Sequence, residues 1–185
     1  MTSVGMSSFP SPRIFNFIRK RDHALMHRIH HWQAPDWVRL LMVVASRGGD
    51  GWIWYGLGFL LLLFGDHHRF VAVFAGSAST AVGLGIYSVV KKATRRLRPC
   101  LVEPHEWAHV LPPDQYSFPS GHTIAAFSIA TAVGLFYPML MLPLLGCAFV
   151  IAISRILLGM HFLSDVVVGV LLGTSLGYAA FMIFR

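Results

Sequence analysis

Four short stretches carry side chains whose types and spacing could do chemistry. Residues 154–165 read SRILLGMHFLSD. His161 and Asp165 are four apart, so on a continuous helix they share a face. A carboxylate placed there accepts one imidazole N–H and leaves the other ring nitrogen free as a nucleophile. Arg155, six residues before His161, offers a planar fork to phosphate oxygens. Residues 118–123 read FPSGHT. Pro119 and Gly121 mark a turn and Ser120 suits the N-cap of the next helix, whose N-terminus is a natural anion site. His122 falls in the first turn, beside any bound anion. Residues 91–99 read KKATRRLRP, and on charge alone they are a topology signal. Residues 105–109 read HEWAH, matching the H-E-x-x-H of zinc proteases, in which two histidines hold the metal and the glutamate is the base. Each stretch also has a plain reading, such as a capped helix with an incidental histidine or a structural His–Asp pair at a membrane edge.

The elements that must position these residues are those of a membrane protein. The 185 residues suit one domain; 55% are apolar and only 12% charged, against about 45–50% and about 25% in soluble domains. The net charge of +7 fits anionic lipid headgroups or anionic substrates. No basic segment stands apart from the apolar ones, which argues against a nucleic-acid partner. The spacing predicts an all-α polytopic bundle. Residues 1–12 are expected to be a disordered tail. Residues 13–50 should form amphipathic helices lying in the headgroup region, one over 13–32 and one over 35–46 with Pro35 at its first position. There, His27 and His31 should line a solvated face. Residues 51–185 should form the membrane bundle, with about five spans at 52–64, 70–90, 123–137, 139–153 and 166–184. A crossing needs about 20 helical residues, so the shorter stretches must borrow from their flanks. Gly169, Gly173 and Gly177 recur every four residues, the spacing that lets helix backbones approach closely. Cys100 and Cys147 lie in different environments, which makes a disulfide unexpected. No signal-peptide core follows the N-terminus, so insertion is expected to rest on the later helices.

Five crossings would place residues 91–121 and 155–165 on the side of the N-terminus. The stretches richest in reactive side chains then meet on one face. Their combined spacing is K-x6-RP, then PSGH, then SR-x5-H-x3-D, read here as Lys91…Arg98-Pro99, Pro119-Ser120-Gly121-His122 and Ser154-Arg155…His161…Asp165. This resembles the three-part signature of the type-2 phosphatidic acid phosphatase family, and no position departs from it. In size and interfacial N-terminus the chain is also similar to small bacterial members such as undecaprenyl pyrophosphate phosphatases.

The resemblance implies an integral membrane phosphatase acting on a lipid phosphate monoester or diphosphate, with no metal or other cofactor. Lys91, Arg98 and Arg155 would clamp the phosphate oxygens, and Ser120 and Gly121 would complete the cradle. His161 would attack phosphorus and form a phosphohistidine, Asp165 would orient it, and His122 would protonate the leaving oxygen and then activate water. His161 must be neutral and His122 charged, which predicts a bell-shaped pH–rate curve. The partners implied are the bilayer and a phospholipid or polyprenyl phosphate. The implied location is a bacterial inner membrane with the site facing the periplasm, whereas the positive-inside rule applied to the basic residues places that face in the cytoplasm.

Two other functions compete. A zinc protease would use His105, Glu106 and His109, but Pro104 and Pro112-Pro113 leave room for about two helical turns, and no third ligand is specified by spacing. The plainer reading is an interfacial loop over the site. A basic, non-catalytic lipid-binding protein is the other rival.

Overall fold

The computed structural model describes residues 13–103, 112 and 114–185. The expected tail at 1–12 and the HEWAH motif lie outside them. The described chain is helical, in the order α1 Arg13–His30, α2 Asp36–Gly48, α3 Trp52–Phe64, α4 Arg69–Thr94, α5 Pro99–Val102, α6 Gly121–Phe136, α7 Pro138–Leu157 and α8 Leu163–Phe184.

All five apolar stretches are helices, but they differ in reach. α4, α7 and α8 have 26, 20 and 22 residues and are long and apolar enough to cross a membrane. α3 and α6, with 13 and 16 residues, are about 20 and 24 Å long at 1.5 Å per residue, short of a hydrocarbon core of about 30 Å. Of the five expected spans, three are full-length helices and two are shorter apolar ones. Pro35 occupies the N-cap of α2 with ψ 147°, and Asp36 is the first helical residue.

α6 is the hub of the bundle and packs on α4, α7 and α8. Its buried residues are mostly small or mildly polar: Ala126, Ala130, Ala132, Thr123, Ser128 and Gly134. Many large apolar residues lie outside instead, with Phe59, Phe74, Val89, Leu142, Leu171 and Ile183 exposed. Lipid solvates such side chains as well as a core does, so close helix approach depends on small residues. α8 shows this directly. A Cβ at Gly173 would sit 2.5 Å from the Ile124 carbonyl oxygen, and one at Gly177 would sit 2.5 Å from that of Ser128. Gly173→Val is expected to push α8 off α6 and cost about 1–3 kcal/mol. The check is thermal unfolding in detergent, where an unchanged midpoint would show that the helices can separate freely.

At the N-terminal side, α1 buries Asp22, Met26 and His30 at four-residue intervals. Just ahead of them it exposes Arg19, Lys20 and Arg21. α2 exposes Trp37, Leu40 and Val44. Both helices pack against α7. Cys100 and Cys147 are free thiols.

Candidate active site

The C-terminal ends of α4 and α7 and the N-terminal ends of α6 and α8 meet at one end of the bundle. α4 runs four residues past its expected end, so Lys91 lies in its last turn, and α7 likewise carries Arg155. α4 stops where Arg95 turns left-handed at φ 47°. The chain beyond lies alongside the segment leading into α6. Ser117 N–H donates to Arg96 O at 2.7 Å, Arg98 N–H donates to Gln115 O at 3.1 Å, and Leu97 pairs with Tyr116. That pairing brings the K-x6-RP stretch onto the PSGH stretch.

Arg98 is 2% exposed and its guanidinium is fully engaged. It donates to Asp114 O at 2.8 Å, to the Asp114 carboxylate at 3.0 Å and to Met160 O at 3.0 Å. Its Nη1 also lies 3.2 Å from His161 Nε2. Arg155 is buried, donates from Nη1 to the Ser46 hydroxyl, and leaves Nε buried with no partner. Lys91 is held by the Asp114 carboxylate and the Tyr87 hydroxyl. Asp114 thus spans Lys91 and Arg98 as a bound oxyanion would. Burial pushes its carboxyl up, but the hydrogen bond from Lys91 and the charge and hydrogen bond of Arg98 outweigh this and hold it below the usual carboxylate range.

His161 is not on a continuous helix with Asp165. It sits in the connection between α7 and α8, after Gly159 at φ 67°, while Asp165 is in the first turn of α8. Its Nδ1 lies 2.6 Å from Ser117 O, and Asp165 Oδ2 is 3.8 Å away. A carbonyl oxygen only accepts, so Nδ1 carries the proton and Nε2 keeps its lone pair. Burial above all, helped by Arg155 and Arg98 and opposed by Asp165, lowers the His161 pKa to about 4. The ring is therefore neutral at neutral pH. The Asp165 carboxylate, fully buried, instead accepts from Phe162 N–H at 2.8 Å and Arg96 Nη1 at 2.7 Å. Arg96 in turn donates to Asp22 of α1 at 2.7 Å.

Ser120 occupies the N-cap of α6, but its hydroxyl does not cap the helix. The hydroxyl accepts from Thr123 at 2.9 Å, and the Ser120 N–H donates to Asp165 O at 3.2 Å. The first bond back into the turn is Ile124 N–H to Ser120 O, so the N–H groups of Gly121, His122 and Thr123 have no acceptor within the helix. His122 Nε2 lies 2.6 Å from Asp50 Oδ1, in the turn between α2 and α3.

One cavity of about 330 Å³ brings the pieces together. Arg98, Gly121, His122, Arg155 and His161 line its polar end with Asp50, while Leu84, Ala125, Ile129 and Trp54 line the rest. Of the residues read from the sequence, these five share the cavity. Lys91 stands behind Asp114, Ser120 is buried beneath the α6 terminus, and Asp165 braces the chain around His161. Asp50, Asp114, Arg96 and Ser46 were not read from the sequence. Their one prior signal was charge or a hydroxyl near a turn, which many surface residues share.

Fold and site together define a helical integral membrane protein with two buried arginines and two histidines around a cavity at one end. The chain belongs to the PAP2 superfamily, whose family model matches residues 70–185. It is 40% identical over 104 residues to a decaprenylphosphoryl-5-phosphoribose phosphatase of Mycobacterium tuberculosis, covering 54% of each chain. The match thus spans about half the length of that relative. An undecaprenyl-diphosphatase of Sulfolobus acidocaldarius is 32% identical over 146 residues, 77% of this chain and 69% of that one. Among solved structures, the fold is similar to a transmembrane PAP2-type phosphatidylglycerolphosphate phosphatase from Bacillus subtilis, with TM-score 0.72, 21% identity and coverage of 91% and 86%. It is also similar to Aquifex aeolicus LpxE, with TM-score 0.66, 26% identity and coverage of 86% and 93%.

Proposed function

We propose that this chain is a metal-independent lipid phosphatase working through a phosphohistidine, with a polyprenyl-linked phosphate or diphosphate as its preferred substrate class. The observation that carries the reading is the cavity where a neutral His161, His122 and two buried arginines meet below an apolar wall. The names of the two relatives, both phosphatases of polyprenyl-linked substrates, favour that class over other lipids. The active end faces the periplasm of a bacterial inner membrane in this reading, and the tail lies between α3, α4 and α6.

Substrate phosphate displaces the Asp114 carboxylate and takes up Lys91, Arg98, the free Nε of Arg155 and the N–H groups opening α6. As Arg98 turns to the phosphate, His161 Nε2 is released to attack phosphorus. The N–P bond forms as the P–O bond to the leaving group breaks, and His122 gives its proton to that oxygen. His122, now neutral, takes a proton from water, and the resulting hydroxide displaces phosphate from His161. Phosphoryl transfer of this kind rests on positioning and charge rather than covalent assistance from the protein. The Ser117 carbonyl fixes the His161 tautomer, and Arg96 fixes Asp165 beside it.

Burial and the Arg155 charge lower the His122 pKa, and Asp50 opposes them by favouring the charged ring. Asp50→Asn is expected to lower kcat about tenfold, leave KM nearly unchanged and move the basic limb of the pH–rate curve to lower pH, with Asp50→Glu recovering most of the loss. An unmoved limb would separate Asp50 from the proton transfer.

The test of the function is phosphate release by purified protein in detergent. The panel is undecaprenyl diphosphate, decaprenylphosphoryl-5-phosphoribose, phosphatidylglycerophosphate, phosphatidate and lipid A phosphate, each with and without EDTA. Turnover of a polyprenyl substrate, unchanged by EDTA, is expected. Hydrolysis of none of them would leave a non-catalytic lipid-binding protein. Loss with EDTA and recovery with zinc would return the metal reading.

A further inference from the structure

A second cluster of chemically capable side chains lies away from the cavity. His27 and His31 sit at the end of α1. His31 N–H donates to His27 O at 3.3 Å, so the helical turn continues past His30 and keeps both rings on one face. The ring centroids are 4.4 Å apart. Glu103, the residue that closes α5, reaches them from another part of the chain. Its Oε1 is 2.6 Å from His27 Nδ1 and 3.4 Å from His31 Nε2. The three donor atoms all lie within 4.8 Å of one another. The expected solvated face of α1 is therefore also a contact surface.

We propose that His27, His31 and Glu103 form a binding site for a divalent transition-metal ion of the zinc class, with a fourth position open to water. Two imidazoles and a carboxylate suit zinc, cobalt or nickel, and not calcium or magnesium, which favour oxygen throughout. Tetrahedral ligands at about 2.0–2.1 Å from zinc stand about 3.3 Å from each other. The Glu103–His31 separation already has that length. The His27–Glu103 contact is a hydrogen bond that opens as the metal takes Nδ1 and the neutral ring carries its proton on Nε2 instead. Both histidines are at least half exposed, so the ion reaches them from water and little rearrangement is needed. A bound ion joins the interfacial helix α1 to α5, whose N-cap is Arg98. The site is independent of the phosphatase reading, since none of its three residues lines the cavity.

The full-length protein in detergent micelles, stripped with chelator, is titrated first with cobalt, whose visible spectrum reports tetrahedral ligation, and then with zinc. One ion per chain is expected. His27→Ala, His31→Ala and the isosteric Glu103→Gln should each weaken binding at least about tenfold, with unchanged elution from a sizing column. Zinc should also slow amide exchange in the last turn of α1 in the unmutated chain alone. No stoichiometric binding would overturn the proposal. So would unchanged affinity in both H31A and E103Q, or binding lost in an H105A/H109A variant while H27A/H31A still binds. Phosphate release measured alongside keeps the questions apart: turnover that resists chelator upholds the phosphatase whatever the metal result.

Discussion

His161→Ala abolishes phosphate release in the expected outcome, with a fall of at least about 10⁴-fold in kcat, because removing a nucleophile leaves only binding and charge stabilisation. The structure supports the size of this effect. Nδ1 is committed to the Ser117 carbonyl, burial keeps the ring neutral, and Nε2 faces the cavity with a single guanidinium across it. His122, the other imidazole of the lining, has its Nε2 on Asp50 instead. The companion variant His122→Ala should behave differently. It should slow both steps, and with a substrate whose leaving group needs no proton it should trap an acid-labile phosphoenzyme. Labelled substrate followed by an alkaline gel reads this out. Retention of label on the His161→Ala protein, or residual activity above about one hundredth of the unmutated rate, would move the nucleophile elsewhere.

Arg155→Ala should cost about 10³-fold in kcat/KM, and Arg155→Lys should recover no more than a tenth of the loss. The guanidinium is buried, one nitrogen is spent on Ser46 and Nε has no partner in the protein. A buried donor without an acceptor is costly unless a ligand completes it. Lysine brings charge and three donors on one compact nitrogen, but not the planar fork that reaches Ser46 from one nitrogen and a phosphate oxygen from another. The measurement is initial rates across substrate concentration, with vanadate affinity as an activity-free control. A loss below tenfold in both would mean that Arg98 and the α6 terminus suffice for charge stabilisation.

These expectations divide between what local sequence carries and what the packed chain adds. Helical type, the membrane class and the glycine stripe of α8 were legible, because apolar periodicity and four-residue spacing are properties of a single helix. Residues 98, 121, 122, 155 and 161 were legible too, since each belongs to a compact motif and all five line one cavity. Crossing length was less so. α3 and α6 are apolar along their length yet shorter than the other three, and their ends depend on Gly51, Gly65 and the α6–α7 junction rather than on hydropathy.

The sequence alone determined the inventory: the cations and imidazoles that line the cavity, and a helical, apolar frame. Tertiary structure decided the pairings. Asp165 braces Arg96 and the α8 turn rather than touching the His161 ring, Asp114 fills the place of an anion between Lys91 and Arg98, and Asp50 reaches His122 from 72 residues away. The physical reason is that a carboxylate's partner depends on which chains cross within about 4 Å of it. That distance is set by helix packing and by the paired segments at Leu97 and Tyr116, and no local pattern encodes it.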